Sequence, residues 1–217
     1  ASQLYSFSRN PRALLQEARE IIAGCIHATP EEIFFTSGGS ESDNWVVKGL
    51  LEKDDYRQTV TSSFEHHAIL HSCETIERLG FPVSYVSPDH SGHVTITALE
   101  KALTKETKLV SIMMSNNELG TIQPIKELCE VAHAHGALFH TDAVQSMGHI
   151  PIDVRELGVD MMSASSHKFN GPKGIGFLYI RKGTRIRPYM DGGAQEHGLR
   201  AGTENVAAIV GMAAALE

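Results

Sequence analysis

Apolar and polar positions along the chain predict strands that alternate with helices. Short apolar or β-branched runs predict strands at residues 32–36, 58–62, 82–86, 109–114, 138–140, 159–162 and 177–180. Apolar residues at helical spacing lie between these runs, as in the helix predicted through Trp45, Val46 and Leu50. This alternation predicts an α/β fold with a mostly parallel seven-stranded sheet and helices on both faces.

Two details of the helical pattern can be checked against a structure. Cys25 and Cys129 fall on apolar helix faces, so both are expected in the core, and Cys73 falls in a third helix. Thr97 is expected to cap a helix that runs through Leu99 and Leu103.

The composition narrows the class of protein. The chain has 217 residues, 41% hydrophobic and 21% charged, which suits a soluble globular domain with a sizeable core. A net charge of −7 argues against a nucleic-acid-binding surface, and no apolar run is long enough to span a bilayer. Three scattered cysteines do not make a disulfide framework, so we expect a cytoplasmic protein that binds neither nucleic acid nor membrane.

Polar residues follow the ends of most predicted strands. In an open α/β sheet, ligands bind beyond the carboxyl ends of the strands. The polar residues at those ends are Gly39, Ser40, His66, Asn117, Asp142, Gln145, Ser165, His167 and Lys168. We therefore expect these residues to surround one ligand site.

Lys168 is the most informative of these residues, and two interpretations are open for it. It lies between an apolar strand and a loop rich in glycine and proline, where a lysine can simply be solvated. Its amine can also form a Schiff base with a carbonyl cofactor. The loop matches neither a P-loop nor a dinucleotide-binding fingerprint, so nucleotide binding there is not expected.

The neighbouring residues meet the chemical needs of pyridoxal phosphate. That cofactor needs a phosphate site, an anion beside its ring nitrogen, a donor to its phenolic oxygen and a lysine for its aldehyde. Asp142 is a candidate for the anion, and either Gln145 or Asn117 for the donor. His66 is a candidate for stacking on the ring. The phosphate-site candidates are Gly39, Ser40, Ser165 and His167.

A set of ordered motifs makes the resemblance to a known family specific. The chain resembles the cysteine desulfurases of the class V aminotransferase superfamily, and within them the iron–sulfur-cluster and nitrogen-fixation branch. The matching segments are residues 36–44, 65–68, 116–120, 140–146, 165–174 and 192–205. The resemblance implies that the chain is the large domain of a fold type I pyridoxal-phosphate enzyme. The whole enzyme would convert L-cysteine to L-alanine and pass on persulfide sulfur.

The resemblance also implies a role for each candidate residue. Lys168 would form the Schiff base and move the substrate α-proton, and His66 would stack on the ring and assist. Asp142 would pair with the ring nitrogen, and Gln145 would donate to the phenolic oxygen. The phosphate would be held by Gly39, Ser40, Ser165 and His167, with Asn117 beside cofactor and substrate. Thr203 would reach the phosphate of a partner subunit, which implies a homodimer. An iron–sulfur scaffold protein or another sulfur acceptor would be a further partner.

The resemblance also implies segments that this sequence lacks. We expect residues 1–217 to be a cofactor-binding large domain truncated at both ends, with 207–217 the start of an interrupted helix. Neither the small domain, with its substrate-binding arginine, nor the loop with the nucleophilic cysteine is present, and no cysteine of the chain matches that nucleophile. We expect the chain to bind cofactor without completing desulfuration. The alternatives are a selenocysteine lyase or other class V enzyme, or a non-catalytic dimerisation or binding fragment.

Overall fold

One sheet organises the computed structural model, which describes residues 9–52 and 55–217. Its strands run in the order β1-β7-β6-β5-β4-β2-β3. All neighbours pair in parallel except β7, which is antiparallel to both β1 and β6. The strands are β1 (Ile33–Thr36), β2 (Gln58–Ser62), β3 (Val83–Val86), β4 (Thr107–Ser111), β5 (Leu138–Asp142), β6 (Met161–Ser165) and β7 (Gly176–Ile180). The predicted mostly parallel seven-stranded sheet is confirmed.

Helices cover both faces of this sheet, as the alternating pattern predicted. They are α1 (Arg9–Cys25), α2 (Gly39–Gly49), α3 (His67–Arg78), α4 (Ile96–Ala102), α5 (Ile125–Ala134), α6 (Val154–Leu157) and α7 (Val206–Ala214). Side chains of α1, α4, α5, α6 and α7 join the larger apolar cluster, whereas α2 and α3 contribute to two smaller ones. No helix in the described ranges is long and apolar enough to cross a membrane.

Several predicted boundaries differ from the structure, and three of them show why. β4 ends at Ser111 instead of residue 114, although residues beyond it stay hydrogen-bonded to β5, as in the 2.8 Å bond from Met114 N to Asp142 O. Thr95, not Thr97, caps α4, because its hydroxyl accepts from Ala98 N at 3.2 Å. The helix predicted over 207–217 ends at Ala214. Hydrogen-bond geometry decided each boundary, and apolar spacing does not specify it.

The three cysteines divide differently from the prediction. Cys73 and Cys129 are buried, so the core assignment of Cys129 is confirmed. Cys25 is exposed, and its assignment to the core was wrong. The buried stripe of α1 passes through Ile22 and continues to Ile26 beyond the helix end, which leaves Cys25 beside the stripe.

A close backbone approach brings the end of β1 against the start of β7. A Cβ added to Gly176 would lie 2.7 Å from Gly38 Cα and 2.4 Å from Ala164 O. Any side chain at position 176 would therefore separate the β1–α2 turn from the sheet. The turn that carries Gly38 is thus held tightly at the edge where β6 ends.

A buried carboxylate joins distant segments at the opposite end of β1. Glu32 accepts hydrogen bonds from Thr29 N and Lys182 N, both at 2.9 Å, and from the guanidinium of Arg155. Burial by itself would raise the pKa of Glu32, but these hydrogen bonds lower it below its usual value. The anionic side chain therefore ties the start of β1 to α6 and to the residues after β7.

We predict that Glu32→Ala lowers the free energy of unfolding by about 2–3 kcal/mol, because two backbone N–H groups and Arg155 lose their acceptor. Urea unfolding followed by circular dichroism measures this. Glu130→Ala, an exposed position on α5, is the matched control and should change stability by less than about 0.5 kcal/mol. Equal losses in both variants would contradict the structural role of Glu32.

Candidate active site

The turn between β1 and α2 forms one wall of the candidate site. Gly38 has φ +145°, and α2 begins at Gly39, so the first N–H groups of the helix have no intrahelical acceptor. A Cβ on Gly39 would lie 2.4 Å from Val144 Cγ2, in the segment after β5. Opposite the turn, Ser165 Oγ lies 3.0 Å from His167 Nδ1. Free N–H groups, the positive helix end and two side-chain donors are suited to an anion.

A cavity of about 590 Å³ opens at this turn, at the edge where the parallel strands end. Every site residue predicted from the sequence lines it except Thr203. Those lining residues are Gly39, Ser40, His66, Asn117, Asp142, Gln145, Ser165, His167 and Lys168. The structure thus brings together residues from five separate strand ends.

Thr203 lies elsewhere, at a smaller cavity of about 140 Å³. Ser37 and Gly174 line both cavities, so the two are neighbours. The segment around Thr203 is held to α2 by a bidentate ion pair, in which Arg200 donates to Glu41 at 2.8 and 3.1 Å. Thr203 itself is exposed, which leaves its hydroxyl accessible.

Asp142 is the buried anion of the main cavity. It ends β5, and its Oδ1 accepts a hydrogen bond from Val144 N at 2.8 Å. Burial raises the pKa of Asp142 to about 6, although the Val144 bond and the positive charge of Lys168 both lower it. A cation placed against this carboxyl group would stabilise its ionised form further.

His66 begins α3 and is held by its own backbone neighbourhood. Its Nδ1 accepts a hydrogen bond from Ala68 N at 3.1 Å, which assigns the ring proton to Nε2. Burial, helped by the charges of His67 and Lys168, lowers the pKa of His66. The ring is therefore neutral at physiological pH, carries its proton on Nε2 and lines the cavity.

Lys168 lies in a short 3₁₀ helix, Ser166–Phe169, directly after β6. Asn170 ends this helix at φ +65°, and Gly171 N donates to Ser166 O at 3.0 Å, so the backbone turns sharply away. Across the residues that the structure describes, Lys168 Nζ has no hydrogen-bond or ion-pair partner. An accessible amine without a structural role, facing a cavity, favours the chemical interpretation over the solvated one.

The two adjacent asparagines have different roles. Asn116 is buried, and its Oδ1 accepts from Glu118 N and Leu119 N at 2.9 and 2.8 Å, so it forms the turn. Asn117 is exposed and lines the cavity. Only the second is placed to contact a ligand.

Some cavity residues escaped the sequence-based prediction. Asp43 and Lys173 line the main cavity, and the buried Glu65 accepts a hydrogen bond from the backbone N–H of Met113, which lines it too. Asp43 lies on the buried, apolar face of α2, and Glu65 is buried as well. An acidic residue at a position where the pattern predicts a buried side chain, without a cationic partner, is the signal that could have identified them.

A flat anionic cofactor matches this arrangement of groups. An anion can be bound at α2 and Ser165, an aromatic ring beside His66, a cationic ring nitrogen at Asp142, and an aldehyde at Lys168. Together with the strand order, these features define the large-domain fold of the fold type I pyridoxal-phosphate-dependent transferases. Comparison with family models narrows the class, since the aminotransferase class-V model matches residues 1–217. The chain belongs to the aminotransferase class-V family.

Individual relatives agree with this assignment. A cysteine desulfurase IscS from Dictyoglomus turgidum is 52% identical over 218 residues, covering 100% of this chain and 55% of that protein. A cysteine desulfurase IscS from Methanosarcina thermophila is 50% identical, and the match covers 100% of this chain and 54% of that protein. A solved structure described as SspA in complex with cysteine superposes with a TM-score of 0.96 at 42% identity. The match covers 99% of this chain and 63% of that one. The chain spans about half the length of the curated relatives it matches.

We predict that Gly39→Ala lowers the free energy of unfolding by about 1–3 kcal/mol, because the new Cβ overlaps the stiff side chain of Val144. Gly24→Ala is the matched control. A Cβ at position 24 of α1 meets nothing within 4 Å, so the helix should gain up to about 1 kcal/mol. Urea denaturation of both variants measures the difference, and a stabilising Gly39→Ala would contradict the tight contact.

Proposed function

We propose that this chain is the pyridoxal-phosphate-binding large domain of a cysteine desulfurase. The carrying observation is that Lys168, Asp142 and the start of α2 meet in one cavity. Similarity to cysteine desulfurases over the full chain supports the reaction class. Desulfuration of L-cysteine leaves L-alanine and places the sulfur on a protein thiol as a persulfide.

The residues of the cavity hold the cofactor by complementary chemistry. The N–H groups of Gly39 and Ser40, with Ser165 and His167, bind the phosphate. Asp142 accepts a hydrogen bond from the protonated ring nitrogen. Two further amides complete the site: Gln145 donates to the phenolic oxygen, and Asn117 lies beside the substrate.

Two side chains take part in proton movement. When bound, the cofactor supplies an electron sink that stabilises negative charge on the substrate α-carbon. Lys168 Nζ would hold the cofactor aldehyde and would carry the substrate α-proton. His66, neutral and fixed through Nδ1, would stack on the ring and assist with Nε2.

The sulfur balance requires a reactive thiol at the cavity. L-Cysteine and a protein thiol give L-alanine and a protein persulfide, with the substrate C–S bond broken and an S–S bond formed. Burial raises the pKa of both Cys73 and Cys129 to about 12, so neither is a useful nucleophile. Cys25 lies with Met147 and Leu216 at a separate cavity. None of the three lines the main cavity.

Partners and location follow from the same proposal. L-Cysteine is the substrate, and one structural neighbour is described as a complex with cysteine. A homodimer would let the exposed hydroxyl of Thr203 reach the phosphate in a second copy. The sulfur passes to an iron–sulfur scaffold protein or another acceptor. Three unpaired cysteines agree with a reducing compartment, so we place the protein in the cytoplasm.

We predict that borohydride reduction of the cofactor-loaded chain attaches a pyridoxyl group to Lys168, because its Nζ faces the cavity without a partner. Peptide mapping by mass spectrometry locates the label, and an absorbance spectrum before reduction reports the bound cofactor. Lys168→Ala should remove the label.

Lys173, the second lysine of the cavity, provides the matched control for this experiment. Lys173→Ala should still be labelled at Lys168 when the cofactor is saturating. A label on Lys173 in the wild-type chain, or none in a folded and cofactor-supplemented sample, would overturn the assignment of Lys168.

We predict that the 217-residue chain does not release sulfide from L-cysteine, even with cofactor and a reducing agent, because none of its thiols lines the main cavity. A colorimetric sulfide assay measures this, with a full-length cysteine desulfurase as the positive control. Cofactor binding without sulfide release would favour the second candidate function, a non-catalytic binding fragment. Cofactor-dependent sulfide release would exclude it.

A further inference from the structure

Three buried carboxyl groups lie at or beneath the main cavity. They are Asp43 of α2, Glu65 before α3 and Asp142 at the end of β5, which are 1%, 5% and 4% exposed. The proposed function uses only Asp142. Placing three negative charges together at buried positions is strongly unfavourable, so the protein must neutralise some of them.

Of the three carboxyl groups, that of Asp43 has the fewest hydrogen bonds to offset the cost of burying a charge. Its Oδ1 is buried and has no hydrogen-bond partner among the described residues. The nearest ring nitrogen, His140 Nε2, is 3.8 Å away and already bonded to Ser163 Oγ at 2.9 Å. The nearby Ser163 hydroxyl lowers the pKa of Asp43, but burial and the charge of Asp142 raise it more.

His140 does not supply a positive charge to Asp43. Its ring is fully buried between Ser111 Oγ on Nδ1, at 2.9 Å, and Ser163 Oγ on Nε2. Burial lowers the pKa of His140 to about 3, so the ring is neutral in the folded protein. Its hydrogen bonds to two serines orient the ring without adding charge.

The remaining charged groups around Asp43 make its ionisation still less favourable. Burial is the largest cause that raises the pKa of Asp43, and the negative charge of Asp142 is the next. Glu65 raises it further when it is ionised. Lys168 is the cation of the cavity wall that acts on this cluster, and its effect falls on Asp142. Burial likewise raises the pKa of Glu65 to about 8. Asp142 is therefore the acid best placed to ionise.

We propose that Asp43 keeps a proton in the folded protein and acts as a positioning residue for Asp142, so that one negative charge faces the ring nitrogen of the cofactor. The proposal rests on the proposed function for its cofactor-binding role. A protonated Asp43 adds no repulsion to Asp142 and retains a polar group for Ser163. An ionised Asp43 would favour moving the ring-nitrogen proton onto the carboxyl pair.

The proton on Asp43 is testable in the protein without cofactor. The unfolded chain loses this proton near pH 4, whereas the folded protein keeps it to higher pH. Between these limits the folded state binds more protons, so its stability falls as the pH rises. Asn carries no such proton in either state. The unfolding constant of the wild type, divided by that of Asp43→Asn, should therefore rise by up to about tenfold per pH unit above about pH 5.

Asp89→Asn is the matched control, since it makes the same chemical change at an exposed turn. Hydrogen bonds from Ser91 and His93 lower the pKa of Asp89 to about 2. Asp89 is thus ionised in folded and unfolded states above about pH 5. The unfolding constant of the wild type, divided by that of Asp89→Asn, should therefore stay constant above this pH. A constant ratio for Asp43→Asn as well would overturn the proposal.

Infrared spectroscopy gives a second readout that does not depend on the variant folding. Carbon-13 labelling of the aspartate carboxyls should reveal the C=O band of a protonated carboxylic acid at pH 7 in the wild-type protein. The label separates this band from that of Glu65. Absence of a protonated aspartic acid would also overturn the proposal.

Cofactor titrations separate this proposal from the proposed function. Asp43→Asn should bind pyridoxal phosphate within about threefold of wild type, because the amide resembles the protonated acid. Asp142→Asn should bind about 10- to 100-fold more weakly, because a charge-assisted hydrogen bond is lost. Failure of the wild type to bind the cofactor would overturn the proposed function, and with it the role of Asp43 as a positioning residue for Asp142. Tight wild-type binding with a large loss in Asp43→Asn would overturn the inference on Asp43 alone.

Discussion

The shared direction of five strands explains where the cavity lies and which residues line it. Because β1, β2, β4, β5 and β6 run the same way, their carboxyl ends meet at one edge of the sheet. Each delivers a polar segment there, and the cavity is the space that these segments enclose. The antiparallel β7 contributes through its first residue, Gly176, whose missing side chain lets the β1–α2 turn approach.

The same edge concentrates acidic groups at buried positions. In the proposed function Asp142 binds a cationic ring, and this role requires that its neighbours Asp43 and Glu65 do not compete for positive charge. The structure places neutral partners around them, above all His140 between two serine hydroxyls. The chemistry of the cavity therefore depends on a polar layer beneath it as much as on the residues that line it.

Ion pairs between distant segments hold the walls of the site in place. Arg200 binds Glu41 on the first turn of α2, and Arg19 of α1 binds Glu196. Glu196 also accepts from Phe35 N at 2.8 Å, which fixes β1 just before the turn. These contacts join residues more than 150 positions apart in the chain, so apolar periodicity does not predict them. The N-cap of α4 and the exposure of Cys25 likewise depended on local geometry that the pattern leaves open.

Side-chain periodicity was sufficient to predict the sheet, its mostly parallel character and the polar residues at its strand ends, because the faces that strands and helices bury follow from side-chain chemistry. Ordered motifs also determined the family. Tertiary structure alone decided which polar residues share the cavity, separating Asn117 from the turn-forming Asn116 and Thr203 from the other predicted site residues. It also decided the surroundings of Asp43, because the cost of a buried charge depends on neighbours that only folding brings within range.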